Sequence, residues 1–175
     1  MTLLEIIETA LKQMGEDTDA AAMDEYKGLL TRYVNEAYME IVRQKLRLIH
    51  TETVTFGDFK ADAASLSRDL FAVVKIEKED GANVPFKVSG GVIYALNADG
   101  ELSVSYYYLP EALSEDTDVP ETPEMSHMCM ADYATFRGLL LGGSGSRDKA
   151  EVFIRRYLNG FAGLGTQSFH IRNKY

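Results

Sequence analysis

The chain has 175 residues, 46% of them hydrophobic, which is enough to bury one substantial core and predicts a single domain. Asp and Glu outnumber Lys and Arg by 27 to 18, and the net charge of −9 opposes binding to a nucleic-acid backbone or an anionic membrane. One cysteine excludes a disulfide framework, and we expect neither a signal peptide nor a membrane span, because the first residues lack a basic stretch and no apolar run is long enough.

Two amphipathic helices are predicted at the start of the chain. Apolar residues recur at helical spacing over Leu3–Met14, and Gly15 is a natural stop for that helix. The second helix begins after a cap at Asp19 or Asp24 and runs to about Leu46, with an aromatic-rich stripe on one face. An aromatic stripe of that length predicts a core helix.

From about residue 49 the pattern changes to short strands with turn signals between them. Asp80-Gly81, Gly90-Gly91 and Asn97–Gly100 are such turns, and they favour an antiparallel meander. The predicted strands are Thr51–Phe56, Phe71–Glu77, Val84–Val88, Val92–Leu96 and Glu101–Tyr108.

Three consecutive tyrosines lie in the last of these strands. Because side chains alternate across a strand, Tyr107 should face away from Tyr106 and Tyr108. One face of this strand is expected to belong to the core, and the alternative for the other face is a contact with a neighbouring subunit.

An acidic connector follows the strands. It is punctuated by Pro110, Pro120 and Pro123, and there is no Lys or Arg from Glu101 to Phe136. Such a run is typical of a solvated loop. The alternative is an acidic surface that is repeated around an assembly and repels DNA.

Helical periodicity returns over Met125–Leu140 and again after the loop Gly142–Ser146. We expect the last helix to bury Val152 and Leu158, among other apolar residues, and to fray at Gly163. The remaining tail contains no acidic residue.

The predicted fold class is α+β. It has a four-helix body of two helical hairpins, with a small antiparallel β-sheet inserted between the second and third helices. The predicted boundaries are 1–164 for the single domain, divided into 1–47 (helices 1 and 2), 48–109 (β-insertion), 110–123 (acidic connector) and 124–164 (helices 3 and 4), with 165–175 as the C-terminal tail.

No catalytic constellation is recognisable, and no cofactor or metal is predicted. The loop Gly142–Gly145 lacks the Gly-Lys-Ser/Thr ending of a phosphate-binding loop and follows a helix where a strand is required. His50, His127 and His170 are far apart in sequence. A small ligand-binding or enzymatic α+β domain, with convergent groups that the sequence hides, stays open as an alternative.

Three stretches resemble one family, the head-to-tail connector or portal adaptor proteins of tailed bacteriophages. The first is similar to the aromatic–Ile–Asn–Glu–Ala–Tyr–Arg–Glu–Ile core of that family's long helix, although Met39 stands where a basic residue is common. The second resembles the run into the family's β-insertion, and the third resembles its last strand, its acidic proline connector and the Tyr-Ala helix after it. The stretches are Arg32–Ile41, Leu66–Ile76, and Val104–Pro110 with 116–124 and Ala131–Ala134.

The resemblance implies a non-enzymatic virion structural protein. Its copies would form a dodecameric ring in the neck beneath the portal, after a period in the host cytoplasm during assembly. The ring would join the capsid portal to tail or neck proteins and extend the DNA channel, through which DNA passes without specific binding. The nearest rival is a head-closure or tail-completion protein elsewhere in the neck.

The 165–175 tail is a predicted docking segment for the portal or an adjacent subunit. We expect Phe169, Ile171 and Tyr175 to act as apolar anchors and Arg172 and Lys174 as charge guides.

Overall fold

The computed structural model describes residues 1–142, 146–165 and 167–170. That part of the chain contains four α-helices and seven β-strands. The helices are α1 (Leu3–Met14), α2 (Ala20–Gln44), α3 (His127–Leu139) and α4 (Arg147–Gly163). The strands are β1 (Leu46–Phe56), β2 (Lys60–Asp62), β3 (Asp69–Glu77), β4 (Phe86–Ser89), β5 (Val92–Ala95), β6 (Gly100–Leu109) and β7 (Gln167–His170).

The predicted fold class is wrong, because the strands do not form one small sheet between the second and third helices. They form two sheets, with strand orders β3-β6-β1-β7 and β2-β5-β4, and β7 follows α4. The predicted meander is also wrong, since β1 pairs antiparallel with β6 and not with its neighbour in sequence. A strand pattern shows which segments are extended, but the pairing partner is chosen by shared burial, which the pattern does not contain.

The described chain divides into two compact units. A helical unit consists of the described residues 1–46, 111–142, 146–165 and 167, and a sheet unit consists of residues 47–110 with residues 168–170 of β7. Within the described residues, none of the helices combines the length and the apolar character needed to cross a lipid bilayer.

Local signals explain where the first two helices begin and end. Thr2 and Glu5 form a reciprocal capping box at the start of α1, and Gly15 ends it in the left-handed conformation at φ 89°. Asp19, and not Asp24, caps α2, because its carboxylate accepts a hydrogen bond from the N–H group of Ala22 at 2.9 Å. The predictions of both helices are confirmed.

The core of the helical unit is built around α3, which packs against α1, α2 and α4. The apolar stripe of α2 is buried as the spacing predicts. Its buried residues are Leu30, Tyr33, Val34, Ala37, Tyr38, Ile41 and Val42.

Helix α4 is the least buried of the helices in this part of the chain. Its buried residues are Ala150 and Tyr157. The prediction that Val152 and Leu158 are buried is wrong, because each side chain is 54% exposed. Helix α4 therefore has more apolar residues than the face that packs against α3 can bury.

Close packing between α3 and α4 depends on Gly160. A Cβ at this position would lie 2.7 Å from Cys129 Sγ, whereas a Cβ at Gly28, inside α2, would meet nothing within 4 Å. We expect Gly160→Ala to lower the free energy of unfolding by about 1 kcal/mol, because overpacking outweighs the gain in helix propensity. Gly28→Ala, the matched control, should raise it by about 0.5–1 kcal/mol.

Urea denaturation measures both effects. Adding Cys129→Ala to Gly160→Ala should recover the loss, since it removes the atom that clashes. If Gly160→Ala proved as stabilising as Gly28→Ala, the close approach of α3 and α4 at this point would be contradicted.

The sheet unit is organised by the central strand β6, which pairs with β1 on one side and β3 on the other. Tyr106 and Tyr108 are 0% and 3% exposed, and Tyr107 between them is half-buried. The predicted alternation of the three tyrosines is therefore confirmed. The ring of Tyr107 lies under the guanidinium of Arg47, 5.3 Å from its centroid.

Candidate interaction surfaces

The acidic connector is bound along α2. Asn35 on α2 holds its backbone through two hydrogen bonds: Nδ2 donates to the carbonyl of Leu113 at 2.9 Å, and the N–H of Leu113 donates to Oδ1 at 2.8 Å. Further along, the N–H of Glu121 donates to the hydroxyl of Tyr38 at 2.9 Å. The connector is therefore an ordered part of the helical unit and not a solvated loop.

The connector also accepts hydrogen bonds from the backbone N–H groups at the beginning of α1. The carbonyl of Asp118 accepts from the N–H of Leu3 at 2.7 Å, and the carbonyl of Asp116 accepts from the N–H of Leu4 at 3.2 Å. These N–H groups belong to the first turn of the helix, where no intrahelical acceptor exists. The Asp116 carboxylate pairs with Lys27 of α2 at 2.7 Å. Both N-terminal helices thus contribute to positioning the connector.

The connector and the 3₁₀ turn Glu124–Ser126 that follows it present acidic and apolar side chains to solvent. Glu111, Glu115 and Glu124 are exposed, and none forms an ion pair with another described residue. Val119 and Met125 are 55% and 62% exposed.

A charged network lies on the other side of α2. Glu36 accepts hydrogen bonds from Arg32 at 3.1 Å and from Arg137 at 2.8 Å. Arg137 also donates to the hydroxyl of Tyr133 at 2.8 Å and lies 4.5 Å from the centroid of the Tyr33 ring. One carboxylate between two guanidinium groups leaves this network with a net positive charge, in a chain that is acidic overall.

Beside this network is an open groove of about 620 Å³ along the exposed side of α2. Met39 and Tyr133 contribute apolar surface to it, and the other lining residues are polar or charged: Arg32, Asn35, Glu36, Glu40, Arg43 and Gln44. Arg43 is exposed and forms no ion pair within the described residues. The two cations and two carboxylates of the lining balance each other in charge.

An ion pair between a buried aspartate and a half-exposed arginine connects α3 to α4. The side chain of Asp132 is 8% exposed and lies 3.1 Å from a guanidinium nitrogen of Arg156. Gln13 of α1 donates to the same carboxylate at 3.1 Å. Burial raises the pKa of Asp132, and the charge of Arg156 and the hydrogen bond from Gln13 oppose that shift. Its contacts are all within the helical core, which indicates a structural role.

The sheet unit contains a polar cluster around Glu52. The buried hydroxyl of Tyr106 donates to its carboxylate at 2.5 Å, and the N–H of Ser67 donates to the same oxygen at 2.9 Å. Burial alone would raise the pKa of Glu52, but these two hydrogen bonds outweigh it and lower the pKa below its ordinary value. Burial, reinforced by the carboxylate, raises the pKa of Tyr106 to about 12.

Among the described residues, the same cluster contains the pair that most resembles a catalytic nucleophile with its general base. The hydroxyl of Ser67 lies 3.2 Å from His50 Nε2. An activated serine also needs a third group that orients the histidine. Among the described residues, no hydrogen bond joins Glu52 to His50, and the carboxylate is committed to Tyr106 and Ser67. The arrangement of Ser67, His50 and Glu52 therefore indicates a structural role and not that of a catalytic triad.

Two large apolar residues are exposed on β3, at the edge of the four-stranded sheet. Phe71 is 46% and Val74 is 40% exposed. Each falls at a shift in the register between β3 and β6, the first between Leu70 and Ala72 and the second between Val73 and Lys75. Bulges twist an edge strand away from further pairing and can redirect a side chain to solvent.

Most of the predicted docking residues of the tail lie outside the described residues. This applies to Ile171, Arg172, Lys174 and Tyr175. The backbone of Phe169 lies in β7, which is next to β1 in the sheet. The assignment of these residues as a docking segment stays a prediction.

Sequence reasoning missed the contacts of Asn35 and of Glu52. A signal existed for Asn35, because asparagine is unfavourable in a helix interior unless its amide finds a backbone partner. Glu52 alternates with threonines as an exposed strand residue would, so nothing local indicated its bond to Tyr106. Within the residues that the structure describes, no group of three or more His, Cys, Asp or Glu is placed to hold a metal ion.

Comparison with known proteins identifies a family for this chain. The model of the SU10 adaptor protein family matches residues 1–172. A search of the curated proteins found no match.

Proposed function

Because this chain belongs to the SU10 adaptor protein family, we propose that its copies form a ring that joins the capsid portal to the tail. Family membership confirms the resemblance found in the sequence and makes the chain a phage structural adaptor. The match over residues 1–172 is the observation that carries the proposal, because it includes both units.

The charge of the chain supports a role as a conduit for DNA. A net charge of −9 provides no surplus of cations to displace the counterions of a duplex, so DNA could slide past the ring without being held. The proposed place of action is the neck of the virion, where the ring extends the channel of the portal. The proposed role requires no catalytic step and no cofactor.

The parts of the chain have proposed roles in this ring. Residues 1–164 act as the adaptor domain, and the 165–175 tail docks onto the portal or an adjacent subunit. The tail is acid-free, with Phe169, Ile171 and Tyr175 as apolar anchors and Arg172 and Lys174 as charge guides. Tail or neck proteins bind the side of the ring away from the portal.

The proposal is tested by mass spectrometry of purified phage particles. We expect this chain in mature particles and in DNA-filled heads without tails, in a fixed ratio to the portal protein. Finding it with isolated tails and not with heads would indicate a tail-completion protein and overturn the portal assignment. Absence from all particles would overturn the structural role, and a small ligand-binding or enzymatic domain would become the better interpretation.

A further inference from the structure

His127 is a buried histidine whose two ring nitrogens both have partners. It is the first residue of α3 and is 2% exposed. Its Nε2 lies 3.1 Å from the carbonyl oxygen of Thr122, and its Nδ1 lies 2.9 Å from the amino group of Met1. His127 therefore connects three parts of the helical unit, which are the residues before α1, the connector and α3.

These partners determine the protonation state of the ring. A carbonyl oxygen can only accept, so Nε2 carries the hydrogen and donates it to Thr122. The neutral ring then has its lone pair on Nδ1, which accepts a hydrogen bond from the amino group of Met1. A second proton would have to bind Nδ1, where two donors would then face each other. Both contacts can exist together only while His127 is neutral.

We propose that His127 is an acid-sensitive latch, whose protonation releases Met1 from α3 and thereby loosens the attachment of the connector to α1. The inference goes beyond the proposed function and does not depend on it, because all of these contacts lie within one copy of the chain.

The residues next to Met1 transmit its release to α1 and to the connector. Thr2 forms the capping box of α1, and the N–H groups of Leu3 and Leu4 donate to the carbonyls of Asp118 and Asp116. Displacement of Met1 disturbs the segment from which these hydrogen bonds are made. A single protonation therefore weakens the contact between the start of α1 and the connector.

Among the described residues, two charged groups act on the ring from the elements that surround it. The amino group of Met1 opposes protonation, and Glu124 in the 3₁₀ turn before α3 favours it. The connector contributes the neutral carbonyls of Thr122 and Pro120, which also favour the protonated ring. Burial outweighs these favourable interactions, so the pKa of His127 lies below its ordinary value of 6.5.

This direction of the shift gives the pH range in which the latch opens. Because the pKa is lower in the closed latch than in an exposed histidine, the open form binds more protons. The stability that the closed latch contributes is therefore complete above about pH 6.5 and is lost as the pH falls.

NMR spectroscopy of the purified full chain between pH 7.5 and pH 5 tests the latch. We expect the ring of His127 to titrate below pH 6.5. As it does, the protection of the Leu3 and Leu4 amides against hydrogen exchange, corrected for the intrinsic effect of pH, should fall by up to about tenfold per pH unit. This titration needs no variant, so it tests the latch even if a substitution at His127 prevents folding.

His127→Gln shows whether this histidine is the group that titrates. The amide of glutamine can donate to Thr122 and accept from Met1 as the neutral ring does, but it does not gain a proton in this pH range. We expect the protection of Leu3 and Leu4 in this variant to be the same at pH 5 and pH 7.5. His50→Gln in the sheet unit is the matched control and should keep the pH dependence of the wild type.

Three results would contradict the latch. The first is a ring of His127 that titrates at pH 6.5 or above. The second is protection of Leu3 and Leu4 that stays constant while the ring is protonated, and the third is the same pH dependence in His127→Gln as in the wild type. Each of these results leaves the adaptor role standing, since that role is tested by the presence of the chain in phage particles.

Discussion

Replacing Asn35 with aspartate should lower the free energy of unfolding of the helical unit by about 2–3 kcal/mol. The new carboxylate keeps an acceptor for the N–H of Leu113 but loses the donor to two carbonyls, that of Leu113 at 2.9 Å and that of Thr31 at 3.1 Å. A negative oxygen would then face both carbonyl oxygens. Leu113 is 7% exposed, so water cannot readily replace the lost donor.

Urea denaturation followed by circular dichroism measures this loss. Asn159→Asp on α4 is the matched control, since it makes the same change at an exposed position, and its effect should stay within about 0.5 kcal/mol. Below about pH 4 the introduced carboxyl becomes protonated and can donate again, so the deficit of Asn35→Asp should shrink there. A deficit that did not depend on pH would contradict this explanation.

The helices could be predicted because their signals are local. The capping box at Thr2 and Glu5, the left-handed Gly15 and the cap at Asp19 each act within a few residues. The buried stripe of α2 follows from spacing alone. Such features can be predicted without knowledge of the rest of the fold.

The sheets could not be predicted to the same degree, because pairing in them is long-range. Residue 51 of β1 lies opposite residue 105 of β6, and the intervening chain builds most of the other strands. An alternating pattern does not indicate which other strand a given strand will pair with. The two bulges of β3 are equally invisible in sequence, yet they decide that Phe71 and Val74 are exposed.

The interaction surfaces were partly visible in the sequence. The acid-rich composition of the connector was evident, but its attachment to α2 depends on contacts between residues that are 78 and 83 positions apart. Arg32 and Glu36 could be read as a pair four residues apart on a helix, whereas Arg137, the second partner of Glu36, lies 101 positions away. The charged network around Glu36 forms because these distant residues meet.

Replacing Tyr106 with phenylalanine should lower the free energy of unfolding of the sheet unit by about 1.5–3 kcal/mol at neutral pH. The fully buried ring is retained, so the change removes little besides the hydroxyl that donates to Glu52 at 2.5 Å. Glu52 then keeps its hydrogen bond from the N–H of Ser67 as partial compensation. Tyr94→Phe is the matched control, because its ring is 37% exposed, and it should change stability by less than about 0.5 kcal/mol.

The effect of Tyr106→Phe should depend on pH at both ends of the scale. The pKa of Tyr106 is about 12 in the folded chain, above the ordinary value of 10.0, so its contribution is complete below about pH 10 and is lost as the pH rises through about 12. The pKa of Glu52 is lowered from 4.5, so the stability that it contributes is present above about pH 4.5 and is lost as the pH falls. The difference in the free energy of unfolding between the wild type and Tyr106→Phe should therefore be largest between about pH 4.5 and about pH 10 and should decrease towards both extremes. A difference that stayed constant from acid to alkaline pH would show that the hydroxyl stabilises the sheet unit by packing and not through its bond to the ionised carboxylate.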